Sequence, residues 1–148
     1  MFSHVFVGVT DFDRAFHFYS AVLNELGLTL KFCERDRSWA GWVAASASRP
    51  LFLIGHPHDG NPATCGNGQT IAFTAPDRRA VDRAYANARA LDGGCEGAPG
   101  LRPQYHPHYY GAYFRDPDRN KICVCCHDPV SQASDRPSND LLTSSEWS

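Results

Sequence analysis

Apolar and polar residues alternate from the start of the chain. In the run 3–9, Val5, Val7 and Val9 fall on one face and His4, Phe6 and Gly8 on the other, the period of a half-buried strand. The period then lengthens. Thr10 and Asp11 are N-cap residue types, and behind them Ala15, Phe18, Tyr19, Val22 and Leu26 recur at helical spacing. This predicts a helix from about Phe12 to Leu26, closed by Gly27. Short apolar runs at about 28–33, 39–45 and 51–55 read as three strands. The unit is strand, helix, strand, strand, strand.

The same order recurs. Thr70 opens a second alternating run, Asp77 caps a second helix to about Leu91, and Gly93 closes it. The offset that lays Asp11 on Asp77 also lays Tyr19 on Tyr85, Gly27 on Gly93, and Ala15, Phe18 and Val22 on Val81, Ala84 and Ala88. Matched start, stop and apolar face indicate paired modules, because two copies of this length are too few and too long for a solenoid. Strands follow at about 109–115 and 121–126, with a weak glycine-rich one near 94–98. Three prolines and two glycines make 97–108 a loop, and Asp116-Pro117-Asp118-Arg119-Asn120 a turn between strands. From Pro129 the text is polar and aperiodic, so 129–148 is expected to be a mobile tail, in which Leu141, Leu142 and Trp147 could dock on the domain or a partner.

Composition narrows the class. At 148 residues one domain is expected, spanning about 1–128, with module one at about 1–60 and module two at about 66–128. A net charge of −2 argues against nucleic-acid binding through bulk positive charge. No apolar run approaches the ~18–20 residues of a membrane span. The opening Met-Phe-Ser-His enters a strand with no basic lead, so a cytoplasmic protein is expected. The six cysteines, Cys33, Cys65, Cys95, Cys123, Cys125 and Cys126, are then free thiols, and no paired CxxC zinc pattern occurs.

Four features resemble the vicinal oxygen chelate superfamily of glyoxalases, extradiol dioxygenases and bleomycin resistance proteins. These are His4 on an opening strand, the helix text from Asp11 through Arg14 to Phe18-Tyr19, the helix end Val22-Leu23 to Leu26-Gly27-Leu28, and Asp116-Pro117-Asp118 followed by Asn120-Lys121-Ile122. The resemblance implies an α+β fold in which two βαβββ modules form a curled mixed sheet around a central cleft. It also implies a homodimer and a divalent metal held in the cleft.

The positions matching the family's metal ligands are His4, Leu53, Thr70 and Cys123. Only His4 keeps a usual donor. Leu53 cannot ligate, Thr70 is a poor neutral donor, and Cys123 is soft where a carboxylate is expected. The usual centre is therefore expected to be lost. If a metal binds, His4 and Cys123 would hold it, with zinc favoured through Cys123 and otherwise manganese, iron or nickel. Strand alternation puts Cys125 on the face of Cys123 and Cys126 on the other, so His4, Cys123 and Cys125 could approach, completed by Gln69, His106 or His108.

Without a metal the cleft chemistry falls to aromatic and polar side chains. Trp39 and Trp42 lie three apart on one strand and face opposite ways, so one enters the cleft, taken here as Trp42. The segment from Arg102 to Tyr110 carries Tyr105 and His106 under proline restraint and could close over a ligand, with Arg102 pairing a carboxylate or phosphate. Tyr110, Ala112 and Phe114 share a strand face that is placed in the cleft. Substrate-binding residues are thus expected to be Trp42, Arg102, Tyr105, His106, Tyr110 and Phe114, with His106 or Tyr110 as candidate bases. His56 and His58 in their turn, and His17 and Asp13 on the first helix, read as solvated, and Gly66-Asn67-Gly68 as a linker turn without the lysine of a phosphate loop. Two readings follow: a diverged, metal-free protein binding a small molecule between the modules, or a metal-dependent lyase, isomerase or dioxygenase acting on a small oxygenated substrate.

Overall fold

Asp11 caps the first helix through its side chain, which accepts from the Arg14 amide, and Asp77 does the same for the second with the Ala80 amide. These caps set the start of both helices in the computed structural model, which describes residues 1–130. The expectation for the tail from 131 onward lies outside the described residues. The elements run β1 (His4–Gly8), α1 (Phe12–Glu25), β2 (Leu28–Glu34), β3 (Trp39–Ala44), β4 (Leu51–Gly55), β5 (Ile71–Thr74), α2 (Arg78–Ala90), β6 (Gly94–Leu101), β7 (Tyr110–Arg115) and β8 (Lys121–Cys126).

The α+β fold of two βαβββ modules is therefore observed. Each module makes its own four-stranded mixed sheet, ordered β1-β4-β3-β2 and β5-β8-β7-β6, with β1–β4 and β5–β8 the parallel pairs. The sheets are separate and do not close around a barrel. The two helices pack against each other and on the strands, α1 on β2 and β4 and α2 on β6, β7 and β8. The core between helices and sheets holds Phe18, Tyr19, Val22 and Leu23 from α1, Val81, Ala84 and Ala88 from α2, and Val9, Ile54, Ile122 and Val124 from or beside the strands, none more than 1% exposed. No helix among the described residues is long and apolar enough to cross a membrane.

Two local readings are corrected. The segment 97–101 is strand, the end of β6, and not loop. Its glycines kept it from reading as strand, yet β7 supplies a partner, and the register shifts at Gly97 and beyond let the chain bulge, Gly97 itself lying at φ +152°. The helix stop after α2 is made by Asp92 at φ +65°, not by Gly93. Gly93 is required for close approach instead: a Cβ there would stand 2.6 Å from the Ala88 carbonyl oxygen.

A polar latch joins the modules. Asp116, 3% exposed, accepts from the Tyr19 hydroxyl (2.5 Å), the Asn120 side-chain amide (2.8 Å) and the backbone amides of Asp118 (2.9 Å) and Asn120 (2.8 Å). Asn120 in turn donates to the Gly8 carbonyl at 3.2 Å, and Asp118 accepts from the Thr10 amide at 2.9 Å. The turn between β7 and β8 is thereby bolted to the end of β1.

Candidate functional site

Strand parity decides which side chains reach the sheet face away from the helices. On β7, Tyr110, Ala112 and Phe114 point toward the helices. Phe114 is fully buried, edge-on to Phe18, and the Tyr110 hydroxyl donates to Asp82 of α2 at 2.7 Å. The expected cleft role of Tyr110 and Phe114 is thus corrected, and with it Tyr110 as a cleft base. This face is the more apolar of the two, and burial under α2 claims it. Trp42 is corrected for the same reason: it is 2% exposed among Phe16, Tyr19 and Phe52, while Trp39 takes the opposite face beside Phe32.

The free face of the second sheet carries a thiol–phenol cluster. Register pairs Tyr113 with Cys123 and Gly111 with Cys125, so these residues stand side by side. The Tyr109 hydroxyl lies 3.4 Å from the Cys123 sulfur and 2.9 Å from the Tyr113 hydroxyl. Its ring lies over Gly111, where a Cβ would come within 2.9 Å of Tyr109 Cε1 and 3.3 Å of Cys125 Cβ. His127 Nε2 is 3.6 Å from the Cys125 sulfur, and His127 Nδ1 is 2.9 Å from His106 Nε2. Both cysteines are buried, Cys123 at 1% and Cys125 at 4% exposure.

The electrostatics follow from these contacts. Hydrogen bonding from Cys125, with Tyr109 and Tyr113 adding to it against burial, lowers the Cys123 thiol to about 6. Cys125 is pushed well up, chiefly by its bond to Cys123 and then by burial, and keeps its proton. Burial raises Tyr109, and it raises Tyr113 to about 12, so both phenols remain protonated donors.

The segment 102–109 does fold over this face. The Arg102 amide donates to the Tyr109 carbonyl at 2.8 Å, and the Arg102 guanidinium donates to the Ala98 carbonyl at 2.9 Å and lies 5.9 Å above the Tyr113 ring. Tyr105 is exposed, its ring 4.9 Å from that of Tyr109, and His106 sits 5.1 Å from His127, ring to ring. Arg102, Tyr105 and His106 are brought together; Tyr109, Tyr113 and His127 are the members that sequence reasoning did not assign. The available signal was parity, since a face that holds Cys123 must also hold the residue paired with it.

The family's metal does not fit these residues. His4 is exposed on β1, its Nδ1 3.0 Å from the Ser3 hydroxyl. Leu53 packs in an apolar group with Val43 and Leu51. Cys123 lies in the second sheet among phenols. Among the described residues no three His, Cys, Asp or Glu side chains gather as a metal-holding group, so the proposed meeting of His4, Cys123 and Cys125 is not formed. Between the modules a cleft of about 520 Å³ opens along β1 and the chain entering β5, lined by Phe6, Gly8, Gln69, Thr70 and Lys121 among others.

A family model described as Glyoxalase/Bleomycin resistance protein/Dioxygenase superfamily matches residues 1–124. The chain is similar to a glyoxalase/bleomycin resistance protein from Albidiferax ferrireducens, at 38% identity and a TM-score of 0.76, covering 85% of this chain and 98% of that one. It shares its fold with lactoylglutathione lyase from Agrobacterium tumefaciens (21% identity, TM-score 0.57, 85% and 92% covered). The same holds for a glyoxalase-related enzyme from Fulvimarina pelagi (15% identity, TM-score 0.64, 92% and 95% covered). No curated protein matches the sequence.

Proposed function

Because the chain belongs to the glyoxalase/bleomycin resistance protein/dioxygenase superfamily, we propose that it keeps the superfamily's use of a cleft for a small molecule while dispensing with the metal. The carrying observation is the donor set. Of the positions matching the family's ligands, one is an exposed histidine, one an aliphatic side chain, one a threonine, and one a buried thiol already engaged by Tyr109 and Cys125. Such a set offers no oxygen cage for a hard cation.

The cleft at the module seam, about 520 Å³, lies within the ~300–1,000 Å³ range of small-molecule sites. Phe6, 46% exposed, lines it together with Lys121 and Gln69. This favours a small amphipathic guest that lays an apolar face on Phe6 and turns an acceptor group to Lys121. A homodimer is part of the proposal, supported by exposed Phe2, Leu30 and Leu101 and tested by sedimentation.

The test is a thermal-shift screen of small aromatic and aliphatic acids, followed by calorimetric titration. A saturable ligand whose affinity falls at least about tenfold in Phe6→Ala and Lys121→Gln, with melting of the free variants unchanged, is the expected result. Failure of every compound to saturate, or binding indifferent to both substitutions, contradicts it.

A further inference from the structure

Phe6 lines two cavities. One is the seam cleft. The other, about 380 Å³, is lined by Phe6, Arg37, Trp39, Gly55, His56 and His58. We propose that this second cavity binds small aromatic carboxylates, with the ring against Phe6 and Trp39 and the carboxylate held by Arg37 and the two histidines. The proposal does not depend on what the seam cleft holds.

Strand register builds the aromatic wall. Trp39 of β3 and Gly8 of β1 both pair with Gly55 of β4, one from each side. A Cβ on Gly55 would stand 3.0 Å from Phe6 Cζ and 3.1 Å from Trp39 Cβ. The missing side chain is what lets the Phe6 ring reach over β4 to the side of Trp39. Phe32 extends the surface, its ring 4.6 Å from that of Trp39. A flat apolar body laid there removes ring surface from water.

The polar lining is of one kind. Arg37, His56 and His58 can all donate, and among the described residues no carboxylate lines the cavity. The Arg37 guanidinium is always charged, and its contact with Glu34 is long, 3.7 Å, between two exposed side chains. Such a pair is worth little, so an incoming carboxylate displaces it at small cost. Asp59, next to His58 in the chain, accepts instead from the Asn61 amide and side chain at 2.9 and 3.1 Å. An aromatic wall beside a donor-rich rim selects a ligand with a flat ring and an anionic end. An aliphatic acid forfeits the ring contact, and a neutral arene the charge-assisted bonds. The volume lies within the ~300–1,000 Å³ of small-molecule sites.

The experiment titrates the full chain with 2-naphthoate at pH 7, where the acid is ionised, and follows indole N–H resonances by nitrogen-15 NMR. Trp39 Nε1–H is a local reporter, since it is buried without an acceptor among the described residues, and Trp39→Phe assigns its signal. A saturable shift of that signal is expected, with a Kd of about 1 mM or tighter. The uncharged 2-naphthamide should bind about fivefold more weakly. Arg37→Gln, an exposed substitution, should weaken the acid about fivefold and leave the amide unchanged, with unaltered melting as the check on folding. Lys121→Gln, in the seam cleft, should change neither. No saturable shift of Trp39, or equal affinity for acid and amide, overturns the proposal. Acid binding that survives Arg37→Gln and is lost in Lys121→Gln also overturns it, and upholds the reading of the seam cleft. Acid binding that shifts Trp39 while no compound saturates the seam cleft upholds this site and overturns that reading, so the two failures are distinguishable.

Discussion

Asp116→Asn is the sharpest probe of how the two modules are held together. All four partners of this side chain donate: Tyr19 and the Asn120 amide to one oxygen, the backbone amides of Asp118 and Asn120 to the other. A carboxylate satisfies them. An amide of the same shape cannot, because in either orientation its NH₂ meets two donors. A buried donor left without an acceptor costs about 1–3 kcal/mol, so the substitution should destabilise by about 2–5 kcal/mol. That is a large share of the ~5–15 kcal/mol stability of a domain. Tyr19→Phe removes one donor to a charged group and should cost about 1.5–3 kcal/mol. With the amide nitrogen at the Oδ2 position, one of the two orphaned donors is gone in the double variant, and the losses should then fall short of additivity by about 1–2 kcal/mol. Urea unfolding at pH 7 measures all three, with the midpoint moving by roughly 1–2 M and the slope unchanged. A change below about 0.5 kcal/mol in Asp116→Asn would refute the latch.

Other expectations follow from single contacts. The Cys123 thiol is held at about 6 in the fold and returns to about 8.5 when unfolded. Since the unfolded chain binds the proton more tightly, the stability lost in Cys123→Ala should grow as pH rises from about 6 to about 8.5 and fall to its packing part alone as pH drops through 6; a pH-independent difference in urea midpoint would contradict this. Gly93→Ala drives a Cβ to 2.6 Å from the Ala88 carbonyl, a backbone atom that cannot swing away, and should cost about 1–3 kcal/mol by thermal melting, whereas a neutral result would show that the α2–β6 corner relaxes. Asp77→Ala removes the cap on the Ala80 amide and should cost about 1 kcal/mol; Asp77→Asn should restore most of it.

Much of the architecture is written locally. The caps Asp11 and Asp77, the helical stripe through Phe18, Tyr19 and Val22, and the alternation of β1 each depend on near neighbours, so the βαβββ repeat was legible. The errors concern non-local choices. β6 needs β7 as a partner before its glycine-rich text becomes strand. The face of β7 is settled by which side α2 buries, and Trp42 by the aromatic group it joins with Phe16 and Tyr19. The site was half visible: Cys123 and Cys125 share a face by parity alone, whereas Tyr109 reaches them only because the 102–109 segment folds back through the Arg102–Tyr109 bond. The latch from Tyr19 to Asp116 joins positions far apart in the chain, and neither residue announces the other.

The measurement closest to the centre of this account is elemental analysis. The chain purified without added metal, and again after equilibration with zinc, manganese, nickel or iron(II) and removal of excess, should carry well under one ion per chain in every case. One tightly held ion per chain, lost in His4→Ala or Cys123→Ala, would contradict it.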